Sequence, residues 1–137
     1  MLRFIVPSLS LLLALPIAAQ AASKQDFELS KMLQQVATQS SVGTPRAINE
    51  DMLDQGFTVE GNELINHLSV REGEASKMRS DPQTVHYQLG ASVCRNPGFR
   101  RLMERGAVMR YDFTEYKTNR KIVTQRYTAA DCGFTKK

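Results

Sequence analysis

Two cysteines and two histidines are the residues of this sequence best suited to redox, metal or acid–base chemistry. Cys94 and Cys132 stand 38 positions apart, whereas a thiol redox site uses the spacing Cys-x-x-Cys. His67 and His86 lie in neither a hydrolase motif nor, together with the cysteines, in a known zinc-binding spacing. We therefore predict a structural disulfide between the cysteines, two structural histidines, and no catalytic residue, metal or cofactor.

An acidic cluster in the first half of the chain contains Glu50, Asp51 and Asp54. A calcium loop needs oxygen ligands at alternating positions and a central glycine, and this segment lacks that pattern. A carboxylate pair for glycoside hydrolysis is defined by a distance in space, which one sequence does not provide. The acidic cluster supports no enzyme class, and we expect a protein that is not an enzyme.

Basic residues are concentrated in the last third of the chain. Residues 22–93 contain six Lys/Arg and ten Asp/Glu, a net charge of −4, whereas residues 94–137 contain eleven and four, a net charge of +7. The basic residues on or beside one predicted helix and the following hairpin are Arg95, Arg100, Arg101, Arg105, Arg110, Arg120, Lys121 and Arg126.

Guanidinium groups bind phosphate and sulfate through paired hydrogen bonds, so this cluster predicts a surface for an anionic partner. The candidates for an exported protein are a lipid headgroup, lipopolysaccharide, a glycosaminoglycan or an acidic protein. Nucleic acid is not expected, because no aromatic-plus-basic recognition motif is present. The alternative is a solvated face that pairs with the acidic half of the chain, within the fold or between subunits.

Three aromatic residues on predicted strands, Tyr111, Phe113 and Tyr127, allow two interpretations. Aromatic side chains on paired strands usually pack in the core or against each other. The alternative is that they line a ligand pocket between the sheet and the helices.

The N-terminus has the pattern of a cleaved secretory signal peptide. The positively charged start MLR precedes an apolar run at 4–16, and AQA at 19–21 gives the small-x-small pattern read by signal peptidase. The run is too short for a transmembrane anchor, which needs about 20 apolar residues. We predict a signal peptide at 1–21, cleaved after Ala21, and a periplasmic or secreted single domain at 22–137.

Periodicity predicts alternating helical and extended segments in that domain. Apolar residues recur with helical spacing over 29–38, and Asp-Pro and Asn-Pro pairs start two further helices that end near Cys94 and Gly106. Alternation predicts one hairpin over 52–70 and a second over 107–129. The segment 46–53 could form a short helix, and the charged segment 71–81 is expected to be an exposed loop.

These elements predict an α+β domain in the order helix-hairpin-helix-hairpin. The two hairpins are expected to form one four-stranded antiparallel sheet, covered on one face by the helices. The predicted disulfide closes a loop of 38 residues, which contributes about 4 kcal/mol to stability by the chain-entropy relation.

The segments VCRNPGFRRLMERGAVMRYDF and TAADC, together with the signal peptide and the element order, resemble the putative quorum-sensing-regulated virulence factor family. Its members are small exported proteins of Gram-negative bacteria. The resemblance implies a compact layered domain, export to the periplasm or beyond, and a role associated with virulence. It implies no catalytic residue.

Three functional hypotheses follow. The first is an exported, non-enzymatic, virulence-associated binding or effector protein that contacts an anionic or protein partner through its Arg-rich face. The second is a small-ligand-binding protein or enzyme with a pocket between the sheet and the helices. The third is a homo-oligomeric structural or chaperone-like module in which an acidic face meets a basic one.

Overall fold

The computed structural model describes residues 17–135. The predicted signal peptide falls mostly on residues 1–16, which lie outside this range. In chain order the elements are α1 (Ile17–Ser40), β1 (Arg46–Asn49), β2 (Met52–Glu60), β3 (Glu63–Val70), α2 (Glu72–Ser80), α3 (Pro82–Arg95), α4 (Pro97–Glu104), β4 (Val108–Glu115) and β5 (Lys121–Tyr127). None of the helices within 17–135 is long and apolar enough to cross a membrane.

The first helix has the predicted apolar stripe, but it begins at Ile17 rather than near Leu29. Leu29, Leu33 and Ala37 are buried against the sheet. Most residues between the apolar positions are exposed, as expected for an amphipathic helix on the surface of a core. The helix ends at Ser40, before the tight turn that leads to β1.

The predicted four-stranded antiparallel sheet is wrong in strand number and in one pairing. The sheet has five strands in the order β1-β2-β3-β4-β5, and β3 runs parallel to β4. The other pairs, β1–β2, β2–β3 and β4–β5, are antiparallel. A parallel pair requires a crossover connection, and α2, α3 and α4 provide it by returning the chain to the end of the sheet where β3 started.

Two local predictions are also wrong. The segment 46–53, considered as a short helix, contains strand β1, whose residue Arg46 pairs with Asp54 of β2. The segment 71–81, predicted as an exposed loop, forms helix α2 and buries Ala75 and Met78. These two side chains, three positions apart, are enough to fix one turn against the core, although the rest of the segment is charged.

The two helices after α2 confirm the start signals read from the sequence. The Asp81 side chain accepts a hydrogen bond from the backbone N–H of Thr84 at the start of α3. The Asn96 side chain accepts hydrogen bonds from the backbone N–H groups of Gly98 and Phe99 at the start of α4. Each N-cap is followed by proline, so the chain ends α3 and restarts as α4 in a new direction.

The predicted disulfide between Cys94 and Cys132 is present. It joins the last turn of α3 to the segment that follows β5. Phe134, two residues after Cys132, packs against the core, and the guanidinium of Arg100 lies 4.2 Å from the centre of its ring. The C-terminal segment is thereby held against the corner between α3 and α4.

The sheet has two chemically different faces. Buried residues of the four helices share one core with the strand residues that face them, which include Leu64, Leu68, Met109 and Phe113. The alternating residues of the strands point to the other face, which we call the open face. There the side chains are mostly charged or hydroxylated, and Ile65 is the buried apolar exception.

Candidate functional site

An open groove of about 780 Å³ lies between α1 and α4, on the helical side of the molecule. Its floor is apolar and is formed by Leu29, Met32 and Val36 of α1 together with Phe99 and Leu102 of α4. Leu29 and Leu102 also belong to the core, whereas Met32, Val36 and Phe99 are half-buried. We call this feature the α1–α4 groove.

The groove exists because the apolar stripe of α1 is wider than the core requires. Leu33 and Ala37 fill the contact with the sheet and leave almost no exposed surface. Met32 and Val36 lie on the adjacent edge of the same stripe and extend beyond that contact. The new direction of α4 after Asn96 places Phe99 and Leu102 opposite them, across the groove.

The two walls of the groove carry different polar residues at their rims. Arg101, Glu104 and Arg105 stand on the α4 wall, and Gln25 and Glu28 stand on the α1 wall. Both arginines are exposed, and no carboxylate among the described residues lies within ion-pair distance of either. The neighbouring carboxylate of Glu104 accepts a hydrogen bond from Arg100 Nε at 2.8 Å.

Two further residues of the predicted basic surface lie on the open face instead. Arg110 contacts Asp112 through two hydrogen bonds of 2.8 and 2.9 Å, Glu60 at 3.0 Å and Glu63 at 3.1 Å. Arg126 Nε donates to the second oxygen of Glu63 at 2.8 Å. Hydrogen bonding to Asp112, supported by Glu63 and Glu60, raises the pKa of Arg110 above its ordinary value despite burial.

Glu63 connects the two arginines of the open face. Burial raises the pKa of its carboxyl, but hydrogen bonds from Arg126 and Arg110 outweigh that effect and hold the pKa below its ordinary value of 4.5. The charges of Arg110 and Arg126 are thus compensated within the fold.

The remaining predicted basic residues are scattered. Arg95 Nε donates to the carbonyl of Ala91 within α3. Arg120 lies 3.9 Å from Glu115, and Lys121 is exposed at the start of β5. The structure therefore brings together Arg100 and Arg101 on α4 and Arg105 at its C-cap, and the sheet separates them from Arg110 and Arg126.

The predicted aromatic residues pack in the core. Tyr111, Phe113 and Tyr127 are all buried, and none of them lines the α1–α4 groove. The Tyr127 hydroxyl donates to the backbone carbonyl of His86 at 2.7 Å, and the His86 ring stacks on the Tyr127 ring at 4.6 Å. Burial raises the pKa of Tyr127 to about 12.

Both histidines bond to neighbouring side chains. His86 Nδ1 donates to Gln125 Oε1 at 2.6 Å, and His67 Nε2 is hydrogen-bonded to Thr58 Oγ1 at 2.6 Å. Within residues 17–135, no group of three or more His, Cys, Asp or Glu side chains is placed to hold a metal ion.

The acidic cluster divides between two environments. Glu50 and Asp51 line a smaller depression of about 380 Å³ beside β1. Asp54 is buried, where its Oδ1 accepts hydrogen bonds from the Gly56 N–H and the Asn66 side chain.

The groove floor was not predicted from the sequence, because Met32, Val36 and Phe99 have the spacing of ordinary core positions. A signal was available, since α1 carries five apolar residues on one face, Leu29, Met32, Leu33, Val36 and Ala37. Which of them the sheet would leave uncovered depends on how the helices pack.

Comparison with solved structures finds three similar folds. A protein of Pseudomonas aeruginosa, described as a "putative secreted protein", is 65% identical with a TM-score of 0.78, over 79% of this chain and 96% of that one. A pilotin of the Vibrio vulnificus type 2 secretion system is 15% identical, with a TM-score of 0.69, over 80% and 96%. A Vibrio cholerae type II secretion pilotin is 16% identical, with a TM-score of 0.65, over 82% and 99%.

The two pilotin comparisons show a shared fold at low identity. No curated protein sequence gives a significant match. A family profile described as "putative quorum-sensing-regulated virulence factor" matches residues 22–133. This match covers nearly all of the domain whose fold and groove are described above, and it confirms the resemblance read from the sequence. The chain therefore belongs to the putative quorum-sensing-regulated virulence factor family.

Proposed function

We propose that this chain is an exported, non-enzymatic, virulence-associated protein that binds a segment of a protein partner in the α1–α4 groove. The observation that carries the proposal is the groove itself, an apolar floor that no residue within 17–135 covers. Beside it stand two arginines that have no ion-pair partner in that same range. Apolar surface gains free energy when a partner removes it from water, at about 25 cal/mol per Å². Such a patch rimmed by polar residues is typical of an interaction site.

Export is supported by three observations. The first 21 residues have the composition of a signal peptide. The family match begins at residue 22, the position that follows the predicted cleavage after Ala21. The similar protein of Pseudomonas aeruginosa is described as a "putative secreted protein". The destination is the periplasm or the exterior of the cell.

The lining of the groove supports binding rather than nucleophilic catalysis. No Ser, Thr, Cys, His or Lys is among its described lining residues, and the carboxylate of Glu104, one of its two lining glutamates, is hydrogen-bonded to Arg100. A protein partner is favoured because two proteins of the same fold are pilotins of type II secretion systems, a name that associates them with a protein assembly.

A polyanion is the second candidate partner, and the exposed guanidinium groups of Arg101 and Arg105 favour it. The two candidates differ in their salt dependence. Affinity for a polyanion falls steeply with salt, because bound counterions are released on binding. A partner held mainly by the apolar floor loses much less affinity, so heparin and anionic vesicles tested across a salt gradient separate the two.

Self-association is a third candidate, because the acidic and basic parts of the chain could meet between two copies. It predicts a sedimentation coefficient that rises with protein concentration at low salt. A concentration-independent monomer removes it.

Site-specific photocrosslinking in a Gram-negative bacterium that exports the protein tests the proposal. A photoreactive residue at position 32 in the groove is compared with one at position 58 on the open face, both introduced singly. We expect position 32 alone to give a discrete adduct with one exported protein, identified by mass spectrometry. Val36→Glu, which places a charge on the groove floor, should abolish the adduct. No adduct from position 32, or the same adduct from both positions, contradicts the proposal.

A further inference from the structure

The walls of the α1–α4 groove restrict the chemistry of the segment that fits it. We infer that the groove takes an amphipathic helix that carries carboxylates on one flank, an inference that rests on the proposed function. The argument uses the backbone of the walls, the length of the floor and the charges at the rim.

The walls favour a helical occupant, because they offer it no strand edge to pair with. The described lining comes from α1, from α4 and from the two residues that cap α4, Asn96 and Arg105. Backbone groups inside α1 are bonded within that helix. At the ends of α4 the Asn96 side chain accepts from the N–H groups of Gly98 and Phe99, and the carbonyls of Leu102 and Met103 accept from the residues that follow the helix. An extended segment on the apolar floor would leave part of its own backbone unpaired, whereas a helix satisfies its backbone internally.

The length of the floor matches a short helix. The lining positions on α1 run from Gln25 to Val36, which is about 16 Å at a rise of 1.5 Å per residue. That distance corresponds to about three turns of a partner helix. Leu29, Met32 and Val36 follow the spacing i, i+3, i+7, so they leave gaps into which apolar residues of similar spacing can insert.

The rim determines which flank of the helix is acidic. Arg101 lies on α4, and Arg105, four residues later, is its C-cap with a backbone still in the helical region, so their backbone positions are separated by about 6 Å along the helix axis. Two carboxylates at i and i+4 of the partner have the same separation and can face them. Glu104 stands on the same wall, but its carboxylate is hydrogen-bonded to Arg100. On the other wall Glu28 would repel a carboxylate, so the charges favour one rotation of the helix about its axis.

Fluorescence anisotropy with the exported protein and three labelled 15-residue peptides tests the inference. All three carry a leucine stripe at i, i+3, i+4 and i+7. The first, the Glu-flanked probe, has glutamates at two flank positions four apart, the second has lysines there, and the third is the first with a central proline. At low salt we expect the Glu-flanked probe to bind about tenfold more tightly than the lysine peptide, because two exposed charge pairs contribute about 1.4 kcal/mol in total. The proline peptide should bind at least tenfold more weakly than the Glu-flanked probe.

Charge variants assign this preference to the rim. The double substitution Arg101→Glu and Arg105→Glu should reverse the preference, so that the lysine peptide binds more tightly. The matched control is Lys117→Glu with Arg120→Glu, which changes the net charge equally on residues outside the groove lining and should preserve the preference. Thermal melting of both variants shows whether each is folded.

Each remaining outcome is decisive for the inference. Equal affinity for the glutamate and lysine peptides overturns it, as does a control variant that reverses the preference. If the proline peptide binds as tightly as the Glu-flanked probe and Val36→Glu abolishes its binding, the groove takes extended segments. The inference then fails and the proposed function stands. Binding of none of the peptides also overturns the inference, and crosslinking from position 32 then decides the proposed function independently.

Discussion

The two faces of the sheet use the same residue type in opposite ways. On the open face, Arg110 and Arg126 are surrounded by Glu60, Glu63 and Asp112, and every guanidinium there has a carboxylate partner. On the helical face, Arg101 and Arg105 stand exposed beside an apolar floor. Counting basic residues along the sequence does not distinguish the two groups. The presence or absence of a carboxylate partner distinguishes the arginines that stabilise the fold from those available to a binding partner.

The cause lies in the geometry of the two elements. In a strand, residues two apart point to the same face, so Arg110 and Asp112 of β4 meet directly. Arg101 of α4 and the C-cap residue Arg105 both line the groove, and the carboxylate of Glu104 accepts a hydrogen bond from Arg100. Substitutions on the two faces should therefore affect different properties of the protein.

Loss of the disulfide should have the largest effect on stability. Replacing Cys94 and Cys132 by alanine releases a loop closed over 38 residues, and we expect the free energy of unfolding to fall by about 4 kcal/mol. Urea denaturation under non-reducing conditions measures the difference. A loss below about 1 kcal/mol would mean that packing of Phe134 holds the C-terminal segment without the covalent bond.

Arg110→Met should have the next largest effect, on the open face. The substitution leaves Glu60, Glu63 and Asp112 close together without their shared cation. We expect the free energy of unfolding to fall by about 2 kcal/mol, because Arg110 is mostly buried and hydrogen-bonds to all three carboxylates. Binding of the Glu-flanked probe should be unchanged. A variant as stable as the wild type would show that the network contributes nothing net.

Glu63→Gln should have a smaller effect that depends on pH. The folded-state pKa of Glu63 lies below its ordinary value of 4.5, so its contribution to stability is present above that value and is lost as pH falls through the folded pKa. Denaturation at several pH values between about 6 and 3 should therefore show a smaller stability loss on acidification in the variant than in the wild type. Parallel pH profiles would contradict the assignment.

The double substitution Arg101→Met and Arg105→Met should have the smallest effect on stability. Neither residue has an ion-pair partner among the described residues, so we expect a change within about 0.5 kcal/mol. The same variant should lose most of the preference for the glutamate peptide over the lysine peptide. A stability loss as large as that of Arg110→Met would remove the distinction between the two faces.

Local features of the fold could be predicted from the sequence. The apolar stripe of α1, the Asp-Pro and Asn-Pro starts of α3 and α4, the two hairpins and the disulfide all depend on neighbouring residues or on the number of cysteines. The parallel pairing of β3 with β4 could not be predicted in the same way. It depends on how α2, α3 and α4 cross the sheet, and α2 itself is marked by only two buried residues, Ala75 and Met78.

The candidate site was only partly predictable. Sequence position grouped Arg101 and Arg105 with Arg100, and the three are neighbours in the structure because Arg100 and Arg101 lie on one short helix and Arg105 is its C-cap. It also grouped them with Arg110, although the alternation of β4 directs that residue to the opposite face of the sheet. The apolar floor was missed because half-burial of Met32 and Val36 results from the position of α4, which local patterns do not specify.

The methionines provide the most direct test of binding in the groove. Met32 lines the α1–α4 groove, Met52 lines the smaller depression beside β1, and Met78, Met103 and Met109 are buried in the core. NMR spectra of ¹³C-methyl-methionine protein titrated with the Glu-flanked probe therefore report where it binds. We predict that the Met32 methyl signal shifts to saturation while the Met52 signal stays unchanged. A shift of Met52 with Met32 unchanged would contradict a partner site between α1 and α4.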